Sequence, residues 1–306
     1  MVPVDDSVAS FAAQQLAVLI ANNFKSTVTV LSVVSHPLMN PSVQSMAAEI
    51  GAQEFAPGQI VRGEYSMPRQ VAPPDLEGAL SSKMLAEISD WYHQRGNETA
   101  DEAVRLFKQE GIPAKRKVVE HADKADSILR EAEDGKYSLI VIGRTGEEEK
   151  ETQLSGTTEK VVRHSKIPVL VGGERKKLAK VLVPVDGSKG SDKALKLAVT
   201  LAKKLEAKIT LLHVQEGGFF TLKPEVAKRV GKHILAQAAR KTKGIETNEK
   251  LESGDVGRKI AQIAEKEDYD IIVMGSKGHG SIKRFLLGSA SSHVLHYTNH
   301  PVLIVK

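Results

Sequence analysis

The chain has 306 residues, no cysteine, and a net charge of +5 from 43 basic and 38 acidic side chains. At about 100–200 residues per domain, this length predicts two domains, each able to bury its own core. The absent cysteines exclude disulfides, cysteine-ligated zinc, iron–sulfur clusters and thiol nucleophiles, and fit a reducing, cytoplasmic setting.

Aromatic residues make up 4% of the chain. The cores must therefore rest on Val, Ile, Leu and Ala, which suits a parallel sheet covered by helices on both faces. The basic residues are scattered along amphipathic segments rather than gathered with stacking aromatics. They read as solvated helix faces, and no nucleic-acid partner is expected. No apolar run approaches the ~18–20 residues of a membrane span, and no signal pattern opens the chain. Direct membrane insertion is not expected.

The first expected strand is Val2-Pro3-Val4-Asp5, followed by Asp6-Ser7. A domain rarely begins inside its sheet, so residues upstream of Met1 are expected in the full reading frame. Residues 36–85 are rich in Pro, Gly, Ser and Gln, with Pro73-Pro74, and read as a long loop or small lid. The run Ser138–Ile142 is a buried strand ending on Gly143-Arg144-Thr145-Gly146. A short helix follows Gly156-Thr157-Thr158, and Pro168-Val169-Leu170-Val171 is the next strand. The polar, glycine-bearing segment 173–178 reads as a linker between a first domain, 1–172, and a second, 179–306.

In the second half, Ala179–Val185 is an apolar strand, and Ser191–Leu205 carries apolar residues at helical spacing. Strands over Lys208–Val214, Thr247–Glu252, Ile271–Met274 and Val302–Val305 alternate with helices over Glu225–Lys243, Val256–Glu267 and Ser289–Tyr297. Such alternation implies a parallel, doubly wound α/β sheet with right-handed crossovers.

The halves repeat one another. Gly143 and Gly146 stand 132 residues before Gly275 and Gly278, and Gly156-Thr157 stands 132 before Gly288-Ser289. Both copies read Gly-x2-Gly-x9-Gly-Ser/Thr. Val2-Pro3-Val4-Asp5-Asp6-Ser7 parallels Val183-Pro184-Val185-Asp186-Gly187-Ser188 at an offset of 181, so the first half holds 49 extra residues.

Gly275 follows a buried strand, at the sheet edge where open α/β folds bind ligands. Gly275 and Gly278 allow close backbone approach. Gly288-Ser289 opens a helix whose free N–H groups suit an anion, and the hydroxyls of Ser289, Ser291 and Ser292 can cap it or donate to phosphate. Lys277, Lys283 and Arg284 give this loop a charge of +3. Asp186, at the end of the first strand of its half, can accept from a ribose or base, or hold Mg²⁺ through water.

The first-half counterparts are Asp5, Gly143, Gly146, Gly156, Thr157 and Thr158. Glu147, Glu148, Glu149 and Glu151 give that loop a charge of −2, and Asp6 replaces Gly187. A triphosphate is disfavoured there. AMP, or no ligand with the half kept as a structural partner, are the alternatives.

Val-Pro-Val-Asp-Gly-Ser, Leu-Leu-His-Val, Ile-Ile-Val-Met-Gly-Ser-Lys-Gly-His-Gly, Leu-Leu-Gly-Ser and His-Pro-Val-Leu-Ile-Val resemble the universal stress protein family, closest over 179–306. The glycine spacing is similar to its ATP-binding branch. The resemblance implies two tandem Rossmann-like domains, each a five-stranded parallel sheet of order 3-2-1-4-5. It implies an adenine nucleotide, ATP or AMP, with Mg²⁺ accompanying ATP. Pro184, Val185, Asp186, Ser188, Val214, Met274, Gly275, Gly278, His279, Gly288, Ser289, Ala290 and Ser291 would line the site. Val214 would lie beside the adenine and Asp186 on its ribose or adenine side.

It further implies pairing of the halves through Val169–Val171 and Val302–Val305, as an intramolecular pseudo-dimer, with a homodimer as a further level. Related domains also occur fused to membrane transporters.

His164 and His296, likewise 132 apart, read as helix C-terminal contacts rather than acid–base groups. No catalytic constellation and no Walker pattern is present. Three functions stay open: a nucleotide-binding regulatory or stress-response protein, a slow Mg-dependent ATPase or nucleotide-dependent transferase, and a nucleotide-free interaction module.

Overall fold

A computed structural model of the chain describes residues 1–35, 82–145, 154–173, 175, 177–216, 223–278 and 287–306. The extra stretch expected around 36–85 lies outside them as far as residue 81; residues 82–85 are helical instead.

The first half contains β1 (Val2–Val4), α1 (Val8–Phe24), β2 (Val28–Val34), α2 (Ser82–Gln109), β3 (Ala114–Glu120), α3 (Lys124–Asp134), β4 (Ile140–Ile142), α4 (Gly156–His164) and β5 (Val169–Val171). The second contains β6 (Lys180–Pro184), α5 (Lys189–Leu205), β7 (Lys208–Gln215), α6 (Pro224–Ala239), β8 (Thr247–Ser253), α7 (Val256–Lys266), β9 (Ile271–Gly275), α8 (Ser289–Tyr297) and β10 (Val302–Val305). Five of the helices begin where a short polar side chain holds one of the first free N–H groups. Ser7, Asp123, Ser155, Ser188 and Asp255 each accept from an amide three residues on.

In the second half the hydrogen-bonded order is β8-β7-β6-β9-β10, all parallel. β10 then pairs antiparallel with β5, with Leu303 opposite Leu170, and β5 pairs parallel with β4. Seven strands thus form one sheet across both halves, and the edge of each final strand is covered by the other. β1, β2 and β3 form a separate three-stranded ladder. Among the described residues it meets the β4 region through two hydrogen bonds: the Val141 N–H donates to the Met1 carbonyl at 3.0 Å, and the Met1 amine donates to the Leu139 carbonyl at 2.9 Å.

The core is aliphatic. Leu16, Leu31, Leu170, Leu182, Leu211 and Ile271 are fully buried, and Phe107 is the aromatic among the largest of these side chains. The segment between β5 and β6 is not slack. Leu178 is buried, Arg175 contacts Asp268 and His300, and the Asp270 carboxylate accepts the Ala179 and Lys180 amides at 2.7 and 2.8 Å. No helix of the described residues is long and apolar enough to cross a membrane.

Candidate functional site

The carboxyl ends of β6 and β9 are neighbours because these strands pair directly, Val181 with Ile271 and Leu182 with Ile272. Their two following loops therefore lie against each other. Pro184 ends β6 and Val185 follows it, its N–H donating to the Leu212 carbonyl at 2.8 Å. His213 Nδ1–H donates to the Val185 carbonyl at 2.7 Å, which fixes the ring and draws the end of β7, with half-buried Val214, to the same edge.

Asp186 then turns the chain. Its Oδ1 accepts the Ser188 N–H at 2.9 Å, while Ser188, buried, caps α5 through the Ser191 amide at 3.1 Å. Gly187 between them has φ of 81°, a left-handed turn that favours glycine.

Close backbone contact assembles the rest. A Cβ on Gly278 would stand 2.6 Å from Asp186 Oδ2, so a side chain there would have to displace this carboxylate. A Cβ on Gly275 would stand 2.6 Å from the Gly190 carbonyl carbon, and a Cβ on Gly190 would strike the Lys277 carbonyl. Gly190 is a member of the site that the sequence reading did not single out. It sits in the first turn of an amphipathic helix, where nothing in periodicity marks a small residue as necessary.

α8 starts at the same place. The Gly288 N–H donates to the Ser276 carbonyl at 2.8 Å, and Gly288 lies against Lys277 and Gly278. As the N-cap, Gly288 offers no side-chain acceptor to the free amides that follow. Ser289 is exposed at this end and Ala290 half-buried. Ser291 is buried, and its hydroxyl donates to the Gly275 carbonyl at 2.8 Å, so it ties helix to strand instead of facing the opening. Met274 is buried under the loop. His279, Lys283 and Arg284 lie outside the described residues. The structure thus brings Asp186, Gly275, Gly278, Gly288 and Ser289 to one edge, where α8 begins without a side-chain cap.

The first half differs in register by one residue. Thr158 Oγ1 donates to the Gly143 carbonyl at 2.7 Å as Ser291 does to Gly275, but Thr158 and Ser291 are 133 apart. The N-cap matching Gly288 is therefore Ser155, and Gly156 is the first helical residue. The equal glycine spacing does not superpose the two caps, because the second loop is one residue longer between strand and helix. The same slip sets His164 opposite Tyr297, not opposite His296.

Ser155 is buried, and its hydroxyl accepts the Thr158 amide at 3.0 Å. Thr157 and Gly156 border a cleft of about 340 Å³ with Ser35, Asp123 and Lys160. Lys160 pairs with Asp123 at 2.7 Å and Asp126 at 2.9 Å. That ion pair draws the Asp123 carboxyl below its usual range. Asp5 Oδ1 accepts from Ser7, amide and hydroxyl, at 3.1 and 2.5 Å. Asp6 pairs with Arg95 of α2 at 2.5 Å and accepts the Thr99 hydroxyl. Gly146 and the glutamates after it lie outside the described residues. No group of three or more His, Cys, Asp or Glu placed to hold a metal ion occurs among the described residues.

Comparison with known proteins agrees with this architecture. The family model described as the universal stress protein family matches residues 69–171 and again 177–306. A universal stress protein of Bacillus subtilis is 34% identical over 146 residues, covering 42% of this chain and 98% of its own. One from Synechocystis is 27% identical over 219 residues, covering 70% of this chain and 73% of its own. In overall shape the chain is similar to a universal stress protein from Archaeoglobus fulgidus, with a TM-score of 0.65 at 23% identity over 100% of this chain and 97% of that one. Two matches of one family model, spanning most of the residues, establish that the chain belongs to the universal stress protein family as a tandem of two such domains.

Proposed function

We propose that this protein is a regulatory or stress-response protein that binds an adenine nucleotide, ATP or AMP, at the edge formed by Asp186, Gly278 and α8. The observation that carries the reading is the bare start of α8. Its N-cap is glycine with no side-chain acceptor, and Gly278 beside it packs closely on the Asp186 carboxylate. Free amides and the positive end of the helix dipole supply a phosphate with what it needs. Lys277 and the basic loop beyond it add cationic field.

Asp186 Oδ2 is suited to a ribose hydroxyl, and half-buried Val214 to one face of the base. On this reading occupancy is the functional variable, with slow Mg-dependent turnover as the alternative. A nucleotide acts in this way if it binds two states of the protein with different affinity. Mg²⁺ would accompany a triphosphate. The two units, 1–172 and 179–306, stay joined through β5 and β10 as an internal pair.

The test is to denature freshly purified protein, identify released nucleotide by chromatography and count it per chain, with ATP and AMP titrated in alongside. Near one adenine nucleotide per chain, lost in Gly288→Asp, supports the reading. Aspartate there fills the cap with its own carboxylate and repels phosphate. Near two per chain gives the first half a working site. No nucleotide by either route discards the reading in favour of an interaction module.

A further inference from the structure

α8 is held at both ends by different halves of the molecule. Its N-terminus belongs to the second-half edge described above. At its other end, Arg144 enters from the first half, directly after Gly143. Arg144 is 6% exposed. Its guanidinium donates to the Leu295 carbonyl in the last turn of α8, and to the His300 carbonyl at 3.4 Å. Its Nε is buried without a partner, and its partners among the described residues are backbone carbonyls, not carboxylates. Burial lowers its pKa to about 10, which leaves it charged at neutral pH.

A buried cation without a counter-ion is costly. Among the described residues, what offsets it is the negative end of the α8 dipole, and the orphan carbonyls of that last turn gain a charged donor.

The arrangement has a mirror. Lys306 of the second half donates to the Val162 carbonyl in α4. Val162 and Leu295 are each the seventh residue of a nine-residue helix. Each half therefore grips the same carbonyl of the other half's last helix. The two grips are chemically unequal. The one on α8 is a forked guanidinium, and α8 is the helix whose N-terminus is left bare.

We infer that Arg144 is a positioning residue for the second-half site, setting the seating of α8 from the first half so that anion binding at Gly288 and closure of the seam between the halves favour each other. The ligand side of this inference rests on the nucleotide reading above. The mechanism is a shared helix. α8 is about 13 Å long, rigid, and tied to β9 by the Ser291–Gly275 bond, so a shift at Leu295 is delivered to the amides at 289–291. An anion and Arg144 sit at opposite ends of one dipole, and each strengthens the end the other does not touch. The coupling is reciprocal by thermodynamic necessity.

The test uses the full chain with Arg144→Met, Arg144→Lys and, as a control for loss of stability, Phe107→Leu in the buried first-half core. Amide hydrogen exchange is followed without ligand, and ATP affinity is titrated. Arg144→Met should speed exchange in α8 about tenfold and weaken ATP about five- to twentyfold, with Arg144→Lys recovering part of both. Phe107→Leu should lower overall stability while leaving α8 exchange and ATP affinity at wild-type values.

Unchanged α8 exchange in Arg144→Met overturns the inference whether or not nucleotide binds. So does equal loss in Phe107→Leu. If the wild type binds no ATP, the nucleotide reading fails on its own, and the exchange data still decide whether Arg144 seats α8.

Discussion

The starts of α4 and α8 occupy the same place in two copies of one fold, and they are finished differently. In α4 the chain closes its own cap. Ser155 accepts the Thr158 amide, the Thr158 hydroxyl reaches Gly143, and the neighbouring Asp6 is engaged by Arg95 and Thr99. In α8 the cap is Gly288, with no side-chain bond, and Gly187 stands where Asp6 does in the first half. A helix end must satisfy its free amides with something. The first half uses its own side chains, and among the described residues the second has no side-chain cap at that position. Two copies of one fold thus differ in how the last helix of each is capped, and on the proposed reading that difference separates a structural copy from a receptive one.

The largest effects should come from the glycines that bring the second-half loops together. Gly190→Ala drives a methyl into the Lys277 carbonyl, and backbone must move to accept it. A loss of about 1–3 kcal/mol in unfolding free energy is expected, with nucleotide retention abolished. Gly278→Ala meets only a carboxylate, Asp186 Oδ2 at 2.6 Å, in an exposed loop. It should cost little stability yet weaken nucleotide binding at least about tenfold. Chemical denaturation and nucleotide titration separate these outcomes. Equal binding by both variants and wild type would break the contrast between the halves.

The next effect is in pH dependence. Lys306 is drawn down to about 8 by burial, with Lys277 as a lesser cause. Between that value and its ordinary 10.5 the unfolded chain binds more protons than the folded one, so stability should rise as pH increases across this window. The rise should be on the order of 1–3 kcal/mol and disappear in Lys306→Met. A phosphate near Lys277 would raise the folded pKa, so added nucleotide should shrink the rise. Denaturant midpoints between pH 7.5 and 10.5, with and without ATP, carry the test. A flat profile in the wild type would remove Lys306 from the seam.

Much of this was legible in the sequence, and the residues that were not have identifiable causes. Val169–Val171 and Val302–Val305 are short apolar runs after a proline, so their bounds could be expected from pattern, while their mutual pairing came from the family resemblance. α8 was bounded correctly because glycine and proline punctuate both its sides. The one-residue slip between the caps was hidden because Gly156 follows Ser155 and completes an identical glycine count. Counting glycines registers spacing, while the cap is chosen by which hydroxyl reaches which amide. Arg144 read as a loop cation because its partners are carbonyls 151 and 156 residues away, and backbone acceptors leave no complementary residue type to find. Arg175 was hidden for another reason: it pairs with Asp268 and His300, 93 and 125 residues away, from inside a polar segment with the composition of a linker.

The smallest effect tests whether a bare cap is sufficient. Ser155→Gly removes the hydroxyl that accepts the Thr158 amide, and should cost a few tenths to about 1 kcal/mol. It makes the α4 cap formally like that of α8. Nucleotide should still not be retained by the first half, because Asp6 keeps its Arg95 partner and the neighbouring loop is acidic. The reverse change, Gly288→Ser, should add a few tenths of a kcal/mol to stability and weaken nucleotide binding about tenfold, since the new hydroxyl competes for the amides a phosphate would use. Calorimetry of both single variants and of the double exchange reads the two quantities together. If Ser155→Gly alone conferred a second bound nucleotide per chain, the cap would outweigh the charges around it, and the silence of the first half would rest on one hydroxyl.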